Sequence, residues 1–199
     1  MAYPTVSAPY GLKPVNLVGG RVFAGATRQF PIASGYAANI FNGDVVKLIN
    51  DGTIEKDTGT ATATPVGVFV GCSYTSPALG YQLFSQYYPT GTVASDIVAY
   101  VVDDPDALFK VAVTAAGTAN IATVARTAVG NNSVLIQTAG STATGDSKIS
   151  ISSTTATTNT QPIRIIDVVP ETATGADAFV EVIVKWNFGM HQYQNATGV

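Results

Sequence analysis

From Arg21 onward the chain is made of short runs in which apolar residues alternate with small or polar ones, with Val, Ile, Thr and Tyr prominent. A period of two puts successive side chains on opposite faces of a strand, and no long stretch keeps the 3.6-residue apolar period of an amphipathic helix. Strands are expected at about 28–33, 44–50, 53–57, 65–74, 96–102, 108–115, 121–128, 132–138, 147–153, 162–169 and 178–188. Turn signals separate them at Asn42-Gly43, Asp51-Gly52, Gly130-Asn131-Asn132, Gly145-Asp146 and Thr174-Gly175. Helix is expected only as single turns near 78–87 and 104–107. The fold class that follows is all-β: an antiparallel β-sandwich or small barrel, with an extended N-terminal arm and at most short helical turns.

Three segments allow finer statements. In "FNGDVVKLINDGTIEK" (41–56), a two-residue Asp51-Gly52 turn would set Lys47 against Lys56, and like charges directly across a ladder repel. A three-residue loop, Asn50-Asp51-Gly52, instead pairs Lys47 with Glu55 and Leu48 with Ile54, with Gly52 in the left-handed position of a G1 bulge. In "PVGVFVGCSY" (65–74), strict alternation puts Val66, Val68, Val70, Cys72 and Tyr74 on one face, and Gly67 and Gly71 leave flat backbone that another segment can approach. Cys72 then reads as a small buried hydrophobe. The small, polar tract at 138–160, with its alternating "KISIS", reads as an exposed Thr/Ser-rich hairpin.

Residues 1–20 carry Pro4, Pro9 and Pro14 and close on Gly19-Gly20, which rules out helix and favours extended chain. Apolar residues still recur there, at Tyr3, Val6, Tyr10, Leu12, Val15 and Leu17. Two readings follow: an arm lying on another subunit, or an N-terminal strand of the chain's own domain. The working division is an arm at 1–20, a β domain at 21–190 and a C-terminal tail at 191–199.

Composition narrows the function. Of the 199 residues, 46% are hydrophobic and only 12% charged, against roughly a quarter charged in an average soluble domain. Apolar surface buried against other chains is therefore expected. The net charge is −3, and the ten Lys and Arg are spread singly, which argues against direct nucleic-acid binding. The single cysteine excludes an intrachain disulfide and a cysteine-based zinc site. No apolar run approaches the roughly 18 residues of a membrane span. The N-terminus lacks a basic region followed by an apolar one, so assembly in a cytoplasm is expected.

Candidate chemistry is sparse. His191, the only histidine, could serve a Ser-His-Asp triad, but no Gly-x-Ser-x-Gly elbow accompanies it, and a structural or interfacial role is the simpler reading. Asp103, Asp104 and Asp106 could bind calcium. They are better explained by a turn in which Asp104 supplies the local acceptor and Pro105 the preset φ. No glycine-rich segment has the order of a phosphate loop. Trp186 and Phe188 read as core or interface, and Asn195-Ala196-Thr197 as a chance match to a glycosylation acceptor. No catalytic residue, metal site or cofactor is expected.

Four segments, taken in order, carry a resemblance: "SAPYGLKPV", "FPIASGYAANIFNGDVVKL" leading into "DGTIEK", "PVGVFVGCSY" and "VVDDPDALFKV". Over roughly residues 7–115 this order is similar to the capsid decoration, or cement, proteins of tailed bacteriophages. The resemblance implies a non-catalytic virion protein, a homotrimeric β domain bound to the major capsid protein on the outside of the expanded shell. It also implies an N-terminal arm that orders against the capsid, around Tyr3, Pro4, Tyr10, Leu12 and Pro14. The alternatives are a tail or baseplate component facing a receptor, and a β-sandwich carbohydrate-binding module or hydrolase built around His191.

Overall fold

The computed structural model describes residues 8–172 and 179–199. Tyr3, Pro4 and the expected Thr174-Gly175 turn lie outside the described residues. The fold is all-β. Among the described residues thirteen strands form two sheets, and helix is limited to three 3-10 turns, at Arg126–Ala128, Pro170–Thr172 and Gln192–Gln194.

The first sheet runs β10 (Leu135–Ile136), β11 (Ser150–Ser152), β8 (Ala107–Thr114), β13 (Glu181–Trp186), β12 (Ile163–Val168), β9 (Asn132–Ser133), with β1 (Lys13–Leu17) also on β8. β9 and β10 stand at opposite ends of this path, yet only Val134 separates them in sequence. The stretch 132–136 therefore brings the two ends together and nearly closes the sheet into a barrel. Its pairs are antiparallel except β8 with β11, which is parallel. Alternation along the strands fills the interior with Phe109, Val111 and Val113 from β8, Val182, Val184 and Trp186 from β13, and Ile163 and Ile165 from β12. Leu135, Ile149 and Ile151 complete that side of the core. Lys110, Lys185 and Arg164 take the intervening, outward positions.

The second sheet is antiparallel, in the order β2 (Arg28–Pro31), β7 (Val98–Val102), β5 (Gly67–Thr75), β3 (Val45–Leu48), β4 (Ile54–Lys56), with β6 (Gln82–Ser85) also on β5. Val45, Val68 and Val102 of this sheet belong to the barrel's core cluster, so the two sheets share it. Its other face holds a second cluster around Phe30, Ile40, Ile54, Phe69, Tyr88 and Val101.

The β3–β4 hairpin pairs Lys47 with Glu55 and Leu48 with Ile54, the register of a three-residue loop. Gly52 sits at φ +81°, and the Asp51 carboxylate accepts from both the backbone N–H (2.8 Å) and the hydroxyl (2.8 Å) of Thr53. These bonds hold the Asp51 pKa below its usual value. An L-residue at that φ costs about 1–2 kcal/mol, so Gly52→Ala should lower stability by about 1 kcal/mol in chemical denaturation. No loss would mean that the loop relaxes to another turn.

Of the two readings of residues 1–20, the strand of the chain's own domain holds over 13–17, and several other expectations are corrected. The segment 13–17 is a strand of the chain's own barrel: Lys13 pairs with Lys110 and Pro14 with Phe109 on β8. Leu12 is fully buried in the core. The Tyr10 hydroxyl donates to the buried Glu181 carboxylate, and Lys13 lies 4.9 Å from the centre of its ring. Burial and that carboxylate both push the Tyr10 pKa up. Leu12 thus has no surface to offer a capsid, and Tyr10 and Pro14 are tied to this domain, where Leu12 and Leu17 pack while Val15 stays exposed. The stretch 78–87 holds strand β6, not a helical turn, and 121–128 holds only a bridge at Ile121 and a 3-10 turn.

The tract at 138–160 is exposed only in part, chiefly at 142–144 and 157–160. Its strand β11 is buried between β10 and β8, and Ser147, Ser150 and Ser152 are buried with it. Their hydroxyls are satisfied locally: Ser150 bonds Thr114 at 2.7 Å and Ser147 accepts from the Ile149 N–H at 3.0 Å. Small polar residues here signal a tight strand interface and not solvation.

The alternation expected in 65–74 is interrupted. A bulge at Val70, between the Phe69–Val101 and Gly71–Tyr100 pairs, shifts the parity of β5. Val68 and Val70 pack on the barrel side, while Phe69, Cys72 and Tyr74 join the second cluster, as does Val66. Gly67 meets the Val102 carbonyl so closely that a Cβ would collide with it.

Candidate functional site

The surface feature that stands apart is the end of the second sheet formed by the β5–β6 hairpin and the loop at 86–97. The hairpin closes through Ser76 N–H to the Tyr81 carbonyl (3.0 Å) and Gly80 N–H to the Ser76 carbonyl (2.8 Å), with Gly80 at φ +73°. The Asp96 carboxylate ties the loop to the hairpin base. It accepts from the Thr75 N–H at 3.0 Å and the Thr75 hydroxyl at 2.7 Å, which lowers its pKa. Beneath the loop, Tyr88 is fully buried and its hydroxyl reaches the Tyr36 carbonyl at 3.3 Å.

On this held scaffold four large apolar side chains face solvent: Leu79, Tyr81, Phe84 and Val93, with Phe84 74% exposed and Val93 65%. Two open troughs, about 350 and 460 Å³, share Pro77 and Val93. Strand β6 pairs with β5 on one side and with no other strand among the described residues. Proteins blunt free strand edges with charge, proline or a bulge. The outer strands β2 and β4 follow that rule, with Arg28 and Pro31 on one and Glu55 and Lys56 on the other, and β1 carries Lys13, Pro14 and a bulge. β6, Gln-Leu-Phe-Ser, carries none of these. An open, uncharged edge beside exposed aromatics is suited to contact with another macromolecule. The sequence hid it because "ALGYQLFSQY" reads as easily as a helical turn as a strand; Pro77 and Gly80 were the signals against helix.

The residues singled out as candidate chemistry hold structural partners, and the fold brings Asp103 and Asp104 close enough to His191 for their charges to act on its ring. Asp103 takes the Arg28 guanidinium at 3.1 Å and the Tyr193 hydroxyl at 2.9 Å. Asp104 accepts from the Asp106 N–H at 2.8 Å and, through its carbonyl, from the Ala107 N–H at 3.1 Å. With Pro105 it makes the turn that carries the chain from β7 of one sheet to β8 of the other. Asp106 lies 3.3 Å from both Arg21 and Lys185. Among the described residues no group of three or more His, Cys, Asp or Glu side chains could hold a metal ion. Cys72 is buried, and burial pushes its thiol pKa up to about 12.

His191 has no solvent exposure. It lies between Trp186, ring centres 6.4 Å apart, and Tyr193, which meets it edge-on at 5.1 Å. In this conformation the His191 ring does not meet solvent. No helix among the described residues is long and apolar enough to cross a membrane. Comparison with protein-family models, with curated proteins and with solved structures gave no match.

Proposed function

We propose that this chain is a non-catalytic structural protein of a phage virion that binds the outside of the expanded capsid and stabilises it. The observation that carries the reading is the cluster of exposed apolar side chains at the end of the second sheet, Leu79, Tyr81, Phe84 and Val93, beside the charge-free edge of β6, on a body packed around two clusters. The order of sequence segments similar to decoration proteins supports it, as does the low charge of the whole chain. Such a protein works by area. Contacts that are individually weak become strong when a homotrimer presents them together, since the second and third engagements occur at high effective concentration. Binding to the assembled shell and not to its free subunits shifts the equilibrium toward the shell by mass action.

The test mixes the purified protein with expanded phage heads lacking a decoration protein. The expected result is saturable attachment at regular lattice positions and heads that resist heat better than bare ones. Phe84→Asp should weaken attachment at least tenfold, the scale of losing a buried aromatic anchor, with the melting temperature of the free protein unchanged. Attachment to tails and not to heads would move the protein to the tail. Failure to bind either structure would remove the proposal.

A further inference from the structure

The last residues cross from one sheet to the other and are fastened there. β13 belongs to the barrel, and the chain beyond it lies on the second sheet. The Gln192 side chain accepts from the Leu48 N–H at 2.7 Å and donates to the Leu48 carbonyl at 3.1 Å, and its backbone N–H reaches the Pro65 carbonyl at 2.9 Å. Tyr193 is held through Asp103 at 2.9 Å and Arg28, whose guanidinium lies 5.5 Å from the ring centre. The residue that begins the 3-10 turn carrying both is His191. It is the N-cap, and its Nδ1 accepts from the Tyr193 N–H at 3.3 Å.

That hydrogen bond defines the tautomer. With Nδ1 as acceptor, the single proton of neutral imidazole is on Nε2, which has no partner at full hydrogen-bond geometry. A second proton can therefore be added only at Nδ1, where it removes the acceptor from Tyr193 and leaves a charged ring between Trp186 and Tyr193. We propose that His191 is an acid-operated latch: protonation at Nδ1 uncaps the 192–194 turn and releases the C-terminal segment from the second sheet.

The surroundings set the direction. Asp103 and Asp104, on the turn entering β8, and the Val66 carbonyl favour the protonated ring, as does the backbone of Asp103. Arg28 on β2 faces Asp103 and Tyr193 and offsets one of those charges. Trp186 on β13 offers the ring an aromatic face. Burial outweighs these, and the folded-state pKa falls below the ordinary 6.5. A histidine depressed in this way contributes stability that is complete above the unfolded value and is lost as pH falls through the folded one. The latch is closed at neutral pH and opens in acid.

The chain has one histidine and one tryptophan, so both signals are unambiguous. Amide hydrogen exchange, corrected for intrinsic rates and followed from pH 7.5 down through the His191 ring titration, should rise at least tenfold in 190–199 while the β12 segment 163–168 stays protected. Trp186 fluorescence should change with the same midpoint as the His191 ring proton resonance. His191→Asn keeps a capping oxygen and cannot take up the proton, so its exchange in 190–199 should not depend on pH. If wild-type exchange in 190–199 does not track the ring titration, or if His191→Asn opens equally in acid, the latch is refuted. Should that variant fail to fold, whether wild-type exchange in 190–199 rises with the midpoint of the ring titration decides alone. The inference is independent of capsid binding.

Discussion

Trp186→Ala should lower the unfolding free energy by about 3–5 kcal/mol, the range for deleting a large aromatic from a well-packed core. Trp186 is fully buried in the barrel and lies against Phe109, ring centres 5.4 Å apart. It is also the last residue of β13, whose cross-strand partner is Ile163 at the start of β12. The vacated space borders both strands, so neither can collapse into it without losing its own pairing. A domain of this size loses roughly 2–4 °C of melting temperature per kcal/mol, so a fall of about 10 °C is expected. Circular dichroism should follow it, because the variant has no other tryptophan to report by fluorescence. A loss below about 1 kcal/mol would mean that the barrel interior is not packed around this ring.

The second large effect concerns charge. Asp44 is completely buried and its Oδ2 accepts from Lys56 Nζ at 2.8 Å and from the Phe41 N–H at 2.9 Å. Lys56 is itself largely covered, at 14% side-chain exposure. Lys56→Met keeps the length and apolar stem of the side chain but strands a carboxylate in the interior. Breaking a buried pair from one side costs about 3–5 kcal/mol, whereas replacing both partners can be nearly neutral. Denaturant midpoints for Lys56→Met, Asp44→Asn and the double variant should therefore be strongly non-additive, with the double variant more stable than Lys56→Met. Additive losses would show that the two side chains do not depend on one another.

What could be read in the sequence follows from distance along the chain. The β3–β4 register was legible because all its determinants, Lys47, Glu55, Asp51 and Gly52, lie within a ten-residue span and interact across one loop. The Asp104-Pro105 turn was legible for the same reason, and Gly67 was legible as a place of close approach because it lacks a Cβ, although the approaching Val102 lies far along the chain. The candidate surface was less so. Phe84 and Val93 are conspicuous only once β6 is known to pair on one side, and exposure is not written in a run of ten residues.

The amino-acid sequence alone determined the all-β class, the β3–β4 loop and the Asp104-Pro105 turn, because strand periodicity and turn chemistry act between near neighbours. Tertiary structure decided the rest. It placed residues 13–17 in the barrel through pairing with β8, nearly a hundred residues away. It buried a three-residue strand within a Thr/Ser-rich tract, and nearly closed a sheet with the two ends of one five-residue stretch. It also shifted the parity of β5 at Val70, where one extra residue in a ladder reverses every face that follows, and drew His191 out of an apparent tail into the interior. These are choices among partners, and a partner's position is set by the packing of the whole molecule, which no local period records.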